Sequence, residues 1–171
     1  MSELEPGASP ALDVRSLLGV LARHEVEYVL IGGLAARLHG SPLLTEDIDV
    51  TPATHRDNLR RLAAALRELG AKLRVAGLAE GVEFPFDERS FGSFTSMTLV
   101  TRFGLLDLCF RPDGTRGFSD LSEHADLYQL FGLQVRVASL EDIIRSKQAA
   151  ARNKDLQALP TLRALQERLR R

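Results

Sequence analysis

Apolar residues recur at helical spacing at Val14, Leu17, Leu18 and Leu21, which predicts a first amphipathic helix from about Leu12 to His24. Tyr28-Val29-Leu30-Ile31 is a compact apolar run closed by Gly32-Gly33, the pattern of a buried strand entering a tight turn. A short helix is expected from Leu34 to His39, stopped by Gly40. Asp47-Ile48-Asp49-Val50 alternates acidic and β-branched residues and ends at Thr51-Pro52, so it reads as a second strand. Over 54–69 the stripe Leu59, Leu62, Ala63, Leu66 and Leu69 faces arginines and ends at Gly70, which predicts a third helix. The segment 71–92 carries no clear period. Two hairpins are expected beyond it. The first is Thr95–Thr101 with Leu105–Phe110 around Arg102-Phe103-Gly104, the second Asp126–Leu130 with Leu133–Val137 around Phe131-Gly132. Ser139, with Asp142 three residues on, opens a helix to about Ala151, and a last helix spans about 156–169 with Pro160 either early in it or breaking it.

Early elements alternate helix and strand, whereas the later strands are joined as hairpins. The expected fold class is therefore α/β (α+β), a mixed sheet packed with helices and ending in a helical pair. With 171 residues the chain suits one domain over 11–171, preceded by a flexible lead over 1–10 in which Gly7 and Pro10 sit among small and acidic residues. An apolar share of 44% with 26% charged residues is that of a folded globular chain and excludes a disordered or fibrous bulk. No apolar run is long enough to cross a bilayer and the first ten residues lack an export pattern, so a cytoplasmic location without a membrane partner is expected. One cysteine, Cys109, excludes an internal disulfide framework and any multi-cysteine zinc site.

Net charge is −1, but from Glu141 to Arg171 eight Lys/Arg face four Asp/Glu, making 139–171 the basic end. This is either a pair of solvated amphipathic helices or a phosphate-facing surface. Neither GxGxxG after a strand nor GxxxxGK[ST] occurs, which disfavours a Rossmann or Walker nucleotide site.

Asp47 and Asp49 lie two apart on a predicted strand, so both carboxylates leave one face about 6–7 Å apart while Ile48 and Val50 turn inward. Neighbouring carboxylates repel unless a cation neutralises them, and Mg²⁺ prefers such oxygen ligands together with substrate phosphates. The plainer alternative is a solvated strand face. Asp107 sits inside the apolar run Leu105-Leu106-Asp107-Leu108, where an unpaired carboxylate is costly to bury. On a strand beside Asp47 and Asp49 it completes a cation site of the kind that clamps attacking and leaving oxygens in phosphoryl transfer; otherwise it pairs with Arg102 or Arg37. The Gly32-Gly33 turn can offer backbone N–H groups to an anion. Lys147, Arg152 and Lys154 follow one another closely enough to meet a polyphosphate or RNA backbone together, although a free surface lysine is an ordinary alternative for Lys147. His24, His39, His55 and His124 lack metal-ligand spacing, and Cys109 reads as a small core residue rather than a nucleophile.

Leu30-Ile31-Gly32-Gly33, Thr45-Glu46-Asp47-Ile48-Asp49 and a later strand Asp107 together resemble the nucleotidyltransferase superfamily of the DNA polymerase β type. The run Leu140-Glu141-Asp142-Ile143-Ile144 through Lys147, Arg152, Lys154 and Asp155 is similar to the AbiEii and MenT toxin group within it, over about Val29 to Leu165. The resemblance implies that Asp47 and Asp49 hold Mg²⁺ and that Asp107 completes the metal site or helps to deprotonate the acceptor. It implies that Lys147 contacts the triphosphate and that Asp155 is an active-site residue, while the residues alone read Asp155 equally as a cap of the final helix. Gly32, Gly33, Thr45, Lys147, Arg152 and Lys154 are the expected nucleotide-binding set. Many relatives carry arginine where this chain has Leu43, so a contact there is missing or comes from Arg37. The implied reaction moves a nucleoside monophosphate from an NTP to an acceptor hydroxyl, most simply the 3′ end of tRNA, in a toxin with an antitoxin partner. Two other readings stay open: an enzyme modifying an aminoglycoside or lincosamide, and an inactive nucleotide- or partner-binding domain, against which three crowded carboxylates argue.

Overall fold

A computed structural model describes residues 9–171. The expected lead over 1–10 falls mostly outside the described residues. The elements run α1 (Val14–Arg23), β1 (Tyr28–Ile31), α2 (Gly32–Leu38), β2 (Asp47–Pro52), α3 (Arg56–Glu68), β3 (Lys72–Val75) and β4 (Leu78–Val82). After a 3₁₀ turn at Ser90–Ser93 come β5 (Ser96–Thr101), β6 (Gly104–Cys109), α4 (Phe118–His124), β7 (Asp126–Leu130), β8 (Leu133–Val137), α5 (Leu140–Ala150) and α6 (Asn153–Leu169).

The eight strands form one mixed sheet in the order β4-β3-β5-β6-β2-β1-β8-β7. β2 runs parallel to β6 and β1 parallel to β8, while every hairpin pair is antiparallel. Alternation along the central strands drives the architecture. Ile48, Val50, Leu106 and Leu108 are buried in a core shared with Leu17, Leu18 and Leu21 of α1 and Leu62 and Leu66 of α3. The intervening residues of β2 and β6 are half-buried, so one face of the sheet centre stays accessible.

Helix ends follow local chemistry. Ser139 accepts the Asp142 N–H at 3.1 Å and caps α5. α6 begins at Asn153, earlier than the expected 156, because the Asp155 carboxylate accepts the Arg152 N–H at 3.2 Å. Pro160 lies inside α6 without ending it. The carbonyl it leaves unbonded belongs to half-exposed Leu156, where water can take the lost bond. β3 and β4 occupy the stretch without a period because their side chains are mostly exposed and no apolar alternation was needed. α4 has only seven residues, too few for a helical stripe.

Candidate active site

Strand register assembles the three acidic residues. Asp49 stands opposite Asp107 in the parallel β2–β6 pair, and Asp47 lies two residues back on the same face. One oxygen from each of Asp47, Asp49 and Asp107 lies within 4.8 Å of the others. Asp107 Oδ1 is buried with no hydrogen-bond partner. The expected alternative, pairing of Asp107 with Arg102 or Arg37, does not occur: Arg37 Nη1 donates to the Leu43 carbonyl at 3.1 Å, and Arg102 lies against Gly70 beyond the hairpin turn. Burial, followed by the charges of Asp47 and Asp107, pushes the Asp49 carboxyl up to about 8. Asp47 is raised by burial and by Asp107, with Lys154 partly opposing. The alternative of a solvated strand face is corrected by this crowding. Three oxygen-donor carboxylates, one oxygen lacking any partner, fit a hard divalent cation such as Mg²⁺.

The glycine pair is dictated by the same packing. Gly32 sits at φ +72°, and a Cβ there would collide with the Asp49 carboxylate. At Gly33 a Cβ would come 2.9 Å from Thr45 Cβ. The β1–α2 turn therefore rests directly on the acidic strand. Thr45 holds the approach to β2 by donating its hydroxyl to the Asp47 carbonyl at 2.9 Å.

The α5–α6 junction supplies the positive groups. Asp155 is fully buried; its carboxylate accepts Arg152 Nε at 2.7 Å and lies 3.6 Å from Lys147 Nζ. Burial pushes its carboxyl up, but the Arg152 hydrogen bonds and the charges of Arg152 and Lys147 outweigh this and hold it below the usual carboxylate range. The cap reading of Asp155 is thus observed, together with a place in the cavity wall. Lys147, Arg152, Lys154 and Asp155, the carboxylate triad, Gly32, Gly33 and Thr45 all line one cavity of about 830 Å³. Arg163, Arg168, Arg170 and Arg171 are exposed farther along the C-terminal segment, so its basic end divides into a cavity-facing part and a solvated part.

Two expectations change. Cys109 is a half-buried part of the cavity wall rather than a core residue, because it alternates with Asp107 on β6; burial raises its thiol, so it is no activated nucleophile. Arg37 donates Nη1 to the Leu43 carbonyl and is not among the residues that line the cavity, whereas Leu43 is. Sequence reading missed Ser96, Thr98 and Arg111, which also line the cavity. The signal for the first two was present: in the predicted hairpin they share the face of Asp107 and Cys109.

This architecture is a nucleotidyltransferase-like fold. A lincosamide antibiotic adenylyltransferase, LnuA, solved with lincomycin, superposes with a TM-score of 0.59 at 14% identity, covering 91% of this chain and 99% of that one. The antibiotic-resistance factor ANT(2″)-Ia with adenylyl-2″-tobramycin gives 0.51 at 18% identity over 87% and 84%. An antigenic nucleotidyltransferase-like protein from Paracoccidioides brasiliensis gives 0.53 at 18% identity over 91% and 78%. No protein-family model and no curated protein sequence matches the chain. Among the described residues, no helix is long and apolar enough to cross a membrane.

Proposed function

We propose that the protein is a divalent-cation-dependent nucleotidyltransferase that moves a nucleoside monophosphate from an NTP to an acceptor hydroxyl. The carrying observation is the buried, unpartnered Asp107 oxygen facing Asp49 across two parallel strands. An unneutralised carboxylate triad is unfavourable in any binding module that has no use for a cation. Asp47, Asp49 and Asp107 hold the cation, and Mg²⁺ bound there supplies neutralising charge to the phosphoryl oxygens. Lys147 and the Gly32-Gly33 turn receive the β and γ phosphates, with Arg152 and Lys154 adding positive charge at the cavity mouth. Asp155 acts on Lys147 and Arg152 by holding both heads in place. The acceptor oxygen forms its bond to the α-phosphorus as the bond to pyrophosphate breaks, and Asp107 takes the hydroxyl proton.

The acceptor we propose is the tRNA 3′ end, in a growth-arresting toxin controlled by an antitoxin. Support comes from the resemblance of the α5–α6 segment and from the cluster Lys147, Arg152 and Lys154 around the site. Antibiotic modification is the second reading, favoured by the superposition on LnuA and ANT(2″)-Ia. Purified protein incubated with each α-labelled NTP, Mg²⁺ and either total tRNA, lincomycin or tobramycin separates them. Label on tRNA is expected; label on a drug alone establishes the second reading, and label nowhere overturns nucleotidyl transfer to these acceptors.

A further inference from the structure

Lys147 lines the cavity and faces Asp155, whereas Arg145, about 200° away around α5, is not among the residues that line it. Arg145 is instead the centre of an ionic node beside the site. Its Nη2 lies 3.1 Å from Asp120 Oδ2 on α4 and 3.1 Å from Asp142 Oδ1 one turn back on α5. Both aspartates are buried. Asp120 Oδ2 also accepts the Arg116 N–H at 2.9 Å, and Asp142 Oδ2 faces His124 Nδ1 at 3.3 Å. The connection between β6 and α4 rests on the same helix. Gly114 sits there at φ +74°, where a Cβ would come 2.8 Å from Ala149 Cβ and 3.3 Å from the Arg145 carbonyl. Thr115 closes the connection on itself, its N–H and its hydroxyl both donating to the Pro112 carbonyl, at 3.1 and 2.8 Å. One arginine thus ties α4, this connection and α5 into a body that carries Lys147 on its cavity side.

Stability alone does not account for the node. Arg145 Nε is buried with no hydrogen-bond partner, and two buried carboxylates share one guanidinium. A buried ionic group of this kind is often no more stabilising than apolar packing of the same volume. What it adds is a single arrangement. The other contacts of α5 with the core, through Ile143 and Ile144, are apolar and non-directional, so they do not fix the rotation of the helix. Ion pairs to two carboxylates on different helices do, and a misplacement of about 1 Å at a group that binds the substrate is costly.

We infer that Arg145 is a positioning residue: by pinning α5 to α4 through Asp120 and Asp142, it sets where Lys147 stands for the triphosphate. The inference rests on the nucleotidyl-transfer reading and adds to it a residue that acts through Lys147 from outside the cavity. Asp155 holds the head of Lys147, and Arg145 holds the helix from which that side chain starts.

The test measures binding of inorganic triphosphate to the full chain with Mg²⁺ by titration calorimetry, which isolates the phosphate contacts from base and acceptor. Lys147→Met is expected to weaken binding about tenfold and Arg145→Gln about fivefold. In the Lys147→Met background, Arg145→Gln is expected to change the affinity less than about twofold, because the contact through which it acts is gone. Arg145→Lys puts a methylene where Nε lies unpartnered and keeps a cation for the two carboxylates. Since one nitrogen and not a fork makes both contacts, this variant is expected to return the affinity to within about twofold of the parent. Thermal melts establish that each variant folds, with a drop of about 5 °C expected for Arg145→Gln. Should that variant not fold, Asp120→Asn/Arg145→Gln, which leaves one carboxylate facing His124, takes its place with the same expectations. Unchanged affinity in the folded variant, a combined loss equal to the product of the two single losses, or no recovery in Arg145→Lys overturns the positioning role while leaving nucleotidyl transfer standing. A parent that binds neither inorganic triphosphate nor any NTP with Mg²⁺ removes the underlying reading and the positioning role with it.

Discussion

Replacing Asp49 by asparagine keeps the shape of the side chain and removes one of three crowded carboxylates, so its effect on stability reports the cost of burying that charge beside two others. In the metal-free protein Asp49 titrates at about 8, against an ordinary value of 3.8 in the unfolded chain. The folded state therefore keeps a proton that the unfolded state has already released. This contribution is fully present below about pH 3.8 and is lost as pH rises towards 8. Over that interval the loss is about 1.4 kcal/mol per pH unit, accumulating to a few kcal/mol by pH 7. Asp49→Asn has no such proton to hold. From pH 5 to 8 the lowered carboxylates Asp120 and Asp155 are ionised in both states, so the difference between parent and variant reports the triad. Urea unfolding in EDTA, followed by far-UV circular dichroism at each pH, should show the parent losing stability relative to Asp49→Asn as pH rises. Saturating Mg²⁺ should restore the parent, most strongly at pH 8, and do little for the variant. Parallel stability profiles for the two proteins in EDTA would refute the argument that the triad is electrostatically strained without a cation.

Asp107→Asn should fold and should lower kcat at least about hundredfold in the labelled-transfer assay, because it removes the group proposed as both cation ligand and proton acceptor. Gly32→Ala must adopt φ +72° and place a methyl group against Asp49; a loss of about 1–3 kcal/mol in urea unfolding is expected, together with weaker Mg²⁺-induced stabilisation. Asp155→Ala removes the cap of α6 and leaves Lys147 and Arg152 without their carboxylate, so unfolding should show a loss of about 3 kcal/mol. Because the Asp155 carboxyl is held low, its stabilisation is present above the ordinary carboxylate range and lost as pH falls through its folded value, so the gap between Asp155→Ala and the parent should close in acid. Lys147→Met should raise the KM for NTP about tenfold or more while leaving the fold intact by circular dichroism.

The parts of the fold legible in the sequence are those whose burial leaves a period. β1, β2, the β5–β6 and β7–β8 hairpins, α1, α3 and α5 each carry an apolar run, alternation or stripe, and each appears close to its expected bounds. β3 and β4 form on the exposed sheet margin through backbone pairing of β3 with β5 and of β4 with β3, which selects no side-chain pattern. The triad was legible for a different reason. Asp47 and Asp49 sit among apolar residues, and so does Asp107, so each violates its strand's burial pattern in a way that calls for a compensating ligand. What could not be read was the pairing of Asp49 with Asp107, since a parallel β2–β6 register depends on contacts distant in sequence. The β5 hydroxyls and Arg111 went unread because serine, threonine and arginine on a half-open strand break no rule.

Asp155 shows why a site residue and a structural residue resist separation by pattern alone. An acidic residue three positions after a helix N-cap is common on capping grounds, and Asp155 accepts the Arg152 N–H as such a residue does. Complete burial changes its meaning. A cap alone gains little from losing all contact with water, whereas a carboxylate buried between Arg152 and Lys147 fixes two cations at the wall of the cavity that holds the triad. Lys147 and Arg152 line the same cavity as Asp47 and Asp49, so the Asp155 charge competes with that pair for the two cations. Shortening the anchor by Asp155→Ala therefore has a second expected consequence besides lost stability. Freed Lys147 can reach towards the triad, so the Mg²⁺ concentration needed for half-maximal thermal stabilisation should rise, and an unchanged midpoint would assign Asp155 to capping alone.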